Sequence, residues 1–391
     1  MKINVFGNGK MNKIVLYGVP LDCKELKNVI DEYCEDVEVI AFTCDSYYGI
    51  KIDRDGEEVD TISLGTAQRM LKQGEIDGLV TVANRSNYII IRKYIEKEIW
   101  HHPRFYACPL NVLPTEPKTE ELIRSIFSNF TGAEINTLQF LVTENCNLKC
   151  KLCSHFAPLV KEPAVYDFKQ FKKDLYRCSE LLPNTSAIGL WGGEALLCPN
   201  LEDYIEESYK AFPYSTISVG TNCLILKNAS RKLLDYMKRD NFKLNLTIYP
   251  PMEDKIEEII GLLQKEGIRY RLSRTNVVTE FGRRYELSGN NDIDERYDEC
   301  FEKFCTTVIN GKFSPCYFPL LSHRFNEYFG KKYFETEDEI FDLYDESLTK
   351  EKVGKIMLTP LRSCRYCGTM DMEKWERCPQ NSKLSDWVKD A

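Results

Sequence analysis

The sequence predicts an α/β protein. Apolar segments of strand length alternate with segments of helical spacing, and that alternation runs twice along the chain. A C-terminal region then replaces it with cysteines. At roughly 150 residues per domain, 391 residues make two or three domains with ample length for a buried core.

Residues 1–112 read as a small α/β domain. Residues 13–18 (KIVLYG) form an apolar strand with a Gly-x-Pro turn behind it, residues 21–33 have helical spacing, and 37–44 (VEVIAFTC) form a second strand. Strands at 79–83 and 104–108 flank a helix around 88–99. Such alternation builds an open, mostly parallel sheet, and the unit resembles the Rossmann-like N-terminal domains of some sugar acyltransferases. The dinucleotide fingerprint is absent: Gly7-x-Gly9 precedes the strand and Gly18-x-Pro20 lacks the remaining glycines. Residues 109–120 (PLNVLPTEPKTE) carry three prolines, and with a helix at 120–130 they place a linker at 113–136.

Residues 137–295 repeat the alternation. Strands are expected at 138–142, 188–191, 216–220, 244–249 and 270–273, with amphipathic helices at 168–182, 203–211, 230–237 and 255–266. Parallel strands with crossover helices form either an open sheet or a barrel, and periodicity leaves both open. Residues 296–391 show little periodicity beyond a hairpin, 306–310 and 312–317, turning at Asn310-Gly311. The acidic stretch 335–351 reads as a solvated helix or loop.

Charge and cysteine usage narrow the function. A net charge of -8 argues against a general nucleic-acid or membrane surface. No apolar run approaches the ~20 residues of a membrane span, and the polar start is unlike a secretory signal, so a cytoplasmic protein is expected. Sixteen cysteines stand against four histidines, which disfavours a His-rich metal site. In a chain without an export signal, the remaining readings are buried thiols and thiolate-ligated zinc or iron–sulfur.

The segment LVTENCNLKCKLCSHFAP places Cys146, Cys150 and Cys153 in the spacing C-x3-C-x2-C directly after an apolar strand. Three thiolates on one loop can hold a cubane [4Fe–4S] cluster and leave one iron open to a non-protein ligand. The motif resembles that of the radical S-adenosylmethionine (SAM) superfamily, including the apolar Leu152 between the second and third cysteines. Trp191-Gly192-Gly193-Glu194 resembles the family's GGE motif, with Ala195 where proline often follows. Ser218 to Asn222 (SVGTN) resembles the strand that reaches the SAM carboxylate and ribose, with Cys223 in the place of a common glycine. The resemblance covers about residues 137–290 and implies a partial (β/α)6 barrel of the TIM type. It further implies a SAM-binding [4Fe–4S] cluster on Cys146, Cys150 and Cys153, with SAM contacted by Leu152, Gly192, Gly193, Glu194, Ser218, Thr221 and Asn222. Such enzymes reductively cleave SAM to a 5′-deoxyadenosyl radical that abstracts a substrate hydrogen, and draw electrons from a donor such as flavodoxin or ferredoxin. A zinc loop is the bland reading of the cysteines alone.

Cys300, Cys305, Cys316, Cys364, Cys367 and Cys378 form a second group, in which a hairpin cysteine and a distant C-x2-C can converge on one metal. The arrangement resembles the SPASM or twitch extensions of radical SAM enzymes. It implies one auxiliary [4Fe–4S] cluster on Cys316, Cys364 and Cys367, completed by one or both of Cys300 and Cys305, with Cys378 as a structural thiol. Structural zinc is the alternative there. Cys23, Cys34, Cys44, Cys108, Cys178, Cys198 and Cys223 lack metal-like spacing and read as buried small hydrophobes; Cys198 and Cys223 stand near enough the motifs to donate a hydrogen atom. His155, Phe156, Arg271, Arg274, Tyr249, Glu280, Arg283 and Arg284 are rim candidates, each with an ordinary packing or ion-pair reading beside it.

The expected function is hydrogen abstraction from a small-molecule or sugar-type substrate by an oxidoreductase or epimerase. A SPASM-type maturase of ribosomal peptides and a non-catalytic iron–sulfur electron-transfer protein are the alternatives. The strand–helix alternation of residues 1–112 is unlike the winged-helix peptide-binding domain of many maturases.

Overall fold

The computed structural model describes residues 2–18, 20–43, 52–54, 57–83, 95, 99, 102, 104–109, 123, 126–127, 137–182, 185, 187–213, 215–272, 277–300, 302 and 305–391. Most of the expected linker, of the helix at 88–99 and of the helix at 120–130, together with Cys44 and Arg274, lie outside the described residues. The chain divides into two compact units, 1–136 with 182–186 and 350–355, and 137–181 with 187–349 and 356–391.

In the first unit, β1 (Asn12–Gly18) is the central strand. It pairs in parallel with β2 (Val37–Thr43) on one side and β5 (Gly78–Ala83) on the other. β4 (Glu57–Ile62) lies parallel to β2, β6 (Phe105–Pro109) parallel to β5, and β3 (Ile52–Arg54) antiparallel to β4. The order β3-β4-β2-β1-β5-β6 reverses direction at β1, as in doubly wound sheets. The helices between the strands are α1 (Pro20–Tyr33) and α2 (Leu64–Gln73). Sequence reading missed α2, although its signals are local: Ser63 accepts the Thr66 N–H as N-cap and the helix closes at Gly74.

The second unit is ordered differently. β7 (Thr137–Thr143), β8 (Ala187–Gly192), β9 (Thr216–Thr221), β10 (Phe242–Leu246) and β11 (Tyr270–Leu272) lie side by side, all parallel and in chain order. Between them run α3 (Phe168–Leu181), α4 (Leu201–Ala211), α5 (Arg231–Met237) and α6 (Ile256–Glu266). Right-handed crossovers that never reverse direction keep successive helices on one face and gather the strand C-termini along one edge.

A sixth parallel strand, β13 (Cys305–Ile309), joins the other side of β7 in the register Cys305↔Thr137. The expected hairpin therefore extends the main sheet through β14 (Lys312–Ser314) and β15 (Phe341–Asp342). Its turn holds Asn310 at φ 47° and Gly311 at φ 76°, the two positive values a type I′ turn requires. β12 (Glu280–Tyr285), which carries the rim candidates Glu280, Arg283 and Arg284, pairs antiparallel with β16 (Cys367–Lys374) in a separate ribbon.

The C-terminal region holds more helix than its periodicity suggests. Besides α7 (Ile293–Glu299) and α9 (Lys350–Leu358), α8 (Tyr317–Phe329) buries eight residues, from Tyr317 through Ser322 and at Arg324 and Phe325. A helix buried nearly all round has no apolar stripe to read. The acidic stretch is likewise not simply solvated. Glu339 is buried and accepts the Ser363 N–H on both carboxylate oxygens.

Candidate active site and cysteine clusters

The first three clustered cysteines follow β7 on a loop that must reverse tightly. Lys149 and Leu152 take positive φ (51° and 61°), a conformation costly for residues with side chains. Two anchors hold the loop there. At its exit, Phe156 (φ 53°) is fully buried among Tyr285, Phe325 and Trp387, with ring centroids 5.4–5.8 Å apart. Phe156 thus serves packing. The other anchor is Arg324 of α8, whose guanidinium bonds the Glu144 carboxylate at 2.6 Å, the Tyr166 hydroxyl at 3.0 Å and the His155 carbonyl at 2.8 Å. It therefore ties together the two ends of the cysteine loop.

The Gly-Gly-Glu turn after β8 lies directly against this loop. Gly193 donates to the Thr143 carbonyl and Glu194 to the Asn145 carbonyl. A Cβ on Gly193 would stand 2.5 Å from the Asn145 oxygen and 2.7 Å from both the Cys146 Cβ and the Glu144 oxygen; one on Gly192 would stand 2.2 Å from the Thr143 oxygen. Neither position has room for a side chain. Gly193→Ala is expected to displace the Cys146 segment, lowering stability by about 1–3 kcal/mol and reducing cluster loading. A denaturant midpoint and iron analysis check both effects.

Glu194 is 2% exposed. Its carboxylate accepts N–H groups from Asn222 (2.7 Å) and Leu196 (3.2 Å), and a bond from the Thr221 side chain. Burial raises its pKa, and these three donors oppose the rise. The Asn222 side chain reaches into the cysteine loop, donating to Asn147 Oδ1 at 2.8 Å. Ser218 donates to the Ile188 carbonyl of the neighbouring strand. Cys146, Gly193, Glu194 and Asn222 are thus knitted into one corner at the C-terminal ends of β7, β8 and β9. His155 sets an imidazole nitrogen 3.1 Å from the Gly192 carbonyl.

A cavity of about 340 Å³ opens beside the loop. Leu152 and Cys153 line it from the loop and Tyr249 from beyond β10; Phe281 and Arg284 of β12 and Trp387 complete much of the wall. Tyr249 stacks on Phe281 at 5.8 Å between centroids. Burial holds the Tyr249 phenol far above its usual pKa, and the charges of Cys150, Cys153, Cys146 and Glu194 push the same way. Of the three cysteines, Cys153 lines the cavity together with Tyr249. Of the rim candidates, Glu280 and Arg284 line the cavity, whereas Arg283 pairs with Glu373 and Arg271 is exposed on β11. Arg284 donates to the Glu302 carboxylate and the Tyr317 hydroxyl, each at 3.0 Å.

Cys300, Cys316, Cys364 and Cys367 form the second constellation. Burial raises the last three thiols, Cys364 to about 11 and Cys367 to about 12. The charge of Cys300 raises all three further, Cys367 raises Cys316, and Cys364 raises Cys367. Cys367 also opposes Tyr285 across the β12–β16 ribbon. Cys305 is the buried first residue of β13, paired with Thr137 on one side, and β14, which leads to Cys316, runs antiparallel to β13 on the other. Cys378 lies at the first loop, its N–H donating to the Lys149 carbonyl. Cys198 and Cys223 are buried, with thiols raised by burial to about 11 and about 12.

Among the described residues, no group of three His, Cys, Asp or Glu side chains could hold a single metal ion as it stands. A cluster of several irons spreads its ligand sulfurs wider than one ion does, and the donor chemistry fits such a cluster. Three thiols share a loop, an indole N–H already donates to one of them (Trp375 Nε1 to Cys150 Sγ, 3.2 Å), and a backbone without side chains lies alongside. Sequence reading missed Asn147, Arg324 and Trp375. Arg324 did leave a signal, as the one arginine within the otherwise largely apolar Tyr317–Phe329.

No family model matches the chain. A GTP 3′,8-cyclase of Clostridium botulinum (strain Okra / Type B1) is 26% identical over 131 residues, 33% of this chain and 39% of the relative. One of Sulfurovum sp. (strain NBC37-1) is 26% identical over 139 residues, 34% of this chain and 42% of the relative. The chain thus spans about two fifths of the length of these curated relatives. Among solved structures, BtrN in complex with AdoMet and 2-DOIA is 17% identical, with a TM-score of 0.38, over 65% of this chain and 98% of that one. In its cyclase likeness and in the loop that carries Cys146, Cys150 and Cys153, the chain is similar to radical SAM enzymes.

Proposed function

We propose that the chain is an enzyme that reductively cleaves SAM and abstracts hydrogen from a small-molecule or sugar-type substrate, acting as an oxidoreductase or epimerase. One observation carries this reading. The three-cysteine loop, the Gly-Gly-Glu turn and Thr221-Asn222 meet at the C-terminal ends of three adjacent parallel strands, beside a cavity. The run of six parallel strands from β11 to β13 supports a partial barrel around that site.

Cys146, Cys150 and Cys153 would hold a [4Fe–4S] cluster, which would supply the electron for cleavage of SAM. The protein's part is positioning. Gly192 and Gly193 keep the approach to the loop free of side chains. Glu194 bonds the backbone of Asn222 and so holds the β8 and β9 ends in register. The Tyr249, Phe281 and Trp387 rings restrict water around the cavity, where a reactive radical must be shielded. Cys300, Cys316, Cys364 and Cys367 would hold an auxiliary cluster that relays an electron. The doubly wound sheet of the first unit supports a small-molecule substrate over a peptide.

The test is anaerobic reconstitution with iron and sulfide, reduction with dithionite, and assay of 5′-deoxyadenosine after adding SAM. Product above the unreduced control is expected. A fully iron-loaded protein that yields none with or without candidate substrates would turn the assignment toward electron transfer.

A further inference from the structure

The segment after β16 crosses the cysteine loop as a strap. Lys151 donates its N–H to the Glu376 carbonyl at 2.9 Å, Cys378 donates to the Lys149 carbonyl at 2.8 Å, and Cys150 forms an isolated antiparallel bridge with Arg377. Lys151 adds ion pairs to Glu373 (3.4 Å) and Asp386 (3.9 Å). The strap thereby fixes both residues around Cys150, including Lys149 in its strained conformation. Trp375, held by its own N–H to the Thr279 carbonyl at 2.7 Å, aims its indole Nε1–H at Cys150 Sγ at 3.2 Å. Its ring lies 6.4 Å from that of Tyr249. Trp375 is only partly buried, and its indole N–H is nevertheless turned onto the sulfur.

We propose that Trp375 is a tuning residue for the SAM-binding cluster, raising its reduction potential through an N–H···S hydrogen bond to the Cys150 thiolate. A cluster gains one negative charge on reduction, and part of it resides on the ligand sulfurs. A fixed donor aimed at one sulfur therefore favours the reduced form over the oxidised one. Cys150 is 7% exposed, so little water competes for that sulfur. Electron entry into SAM is governed by the cluster's potential, so a residue from the chain's C-terminal region would set how readily the site accepts an electron from its donor.

This inference rests on the reading that Cys146, Cys150 and Cys153 hold a [4Fe–4S] cluster. Wild-type iron content and the EPR signal of the reduced protein test that reading by themselves. Trp375→Phe keeps the ring and removes the donor, and Trp375→His restores a donor. The expected result is a midpoint shifted to more negative potential in the Phe variant, at unchanged iron content, with partial recovery in the His variant. An unchanged midpoint in a fully loaded Phe variant would overturn the proposal. Should the Phe variant fail to load iron, ENDOR of the reduced wild-type cluster, labelled with indole-15N tryptophan, decides the matter. A 15N and exchangeable-proton coupling supports the bond, and its absence overturns it.

Discussion

Replacing Cys146, Cys150 and Cys153 together by alanine is expected to reduce 5′-deoxyadenosine formation to background and to remove about four irons, the content of one cubane cluster. About four should remain on the auxiliary site. The three thiols share one loop, so removing them leaves no set of sulfur donors on it. The remaining iron should in turn depend on Cys316, Cys364 and Cys367, and Cys300→Ser and Cys305→Ser should tell which of these two completes the set. Iron and sulfide analysis of each variant reads the outcome. Undiminished iron in the triple variant would mean that the loop is not a cluster site. Zinc in place of the remaining iron would reassign only the second constellation.

The elements legible in the sequence are those whose determinants are local. Residues 188–191 and 216–220 read as strands because a short apolar run between turn residues has few alternatives. The cysteine spacing is equally local, since three cysteines within eight residues need no tertiary information to be read. What escaped reading depends on partners far along the chain. The hairpin at Asn310-Gly311 was visible, but its docking beside β7 was not, because register across 168 residues leaves no mark on either strand, as the contact of Thr307 with Gln139 shows. The ribbon of β12 and β16 escaped for the same reason, and with it the wall that Phe281 and Arg284 give the cavity. The helix Tyr317–Phe329 was hidden by its own burial. Cys305 and Cys300 could not be told apart as ligands by spacing. Cys300 closes the helix Ile293–Glu299 and Cys305 opens β13, beside the hairpin strand that leads to Cys316.

Arg324→Met is expected to destabilise the second unit by about 3–5 kcal/mol, the usual cost of removing one member of a buried ion pair. The Arg324 side chain is 3% exposed and that of Glu144 14%. Methionine would fill most of the volume, so the loss reports on the guanidinium bonds. Glu144 would keep the Ala164 N–H at 3.1 Å and the Tyr166 hydroxyl at 3.1 Å, but lose its only ion-pair partner among the described residues. The His155 carbonyl would lose the Arg324 donor just past Cys153. Lysine at 324 should recover only part of the loss, because one ammonium cannot span the carboxylate, the hydroxyl and the carbonyl that the planar fork reaches together. Arg324→Met with Glu144→Gln separates burial cost from pairing. If the uncompensated carboxylate dominates, the double variant should be more stable than Arg324→Met alone, and the coupling should exceed about 1 kcal/mol. The measurement is the urea midpoint and slope for all four proteins, with hydrogen exchange at residues 144–156 as the local readout. An effect confined to the global midpoint, with unchanged exchange across the cysteine loop, would show that Arg324 stabilises α8 without holding the loop. Faster exchange there, at a midpoint only slightly lowered, would show that the clamp acts chiefly on the geometry of the cluster site.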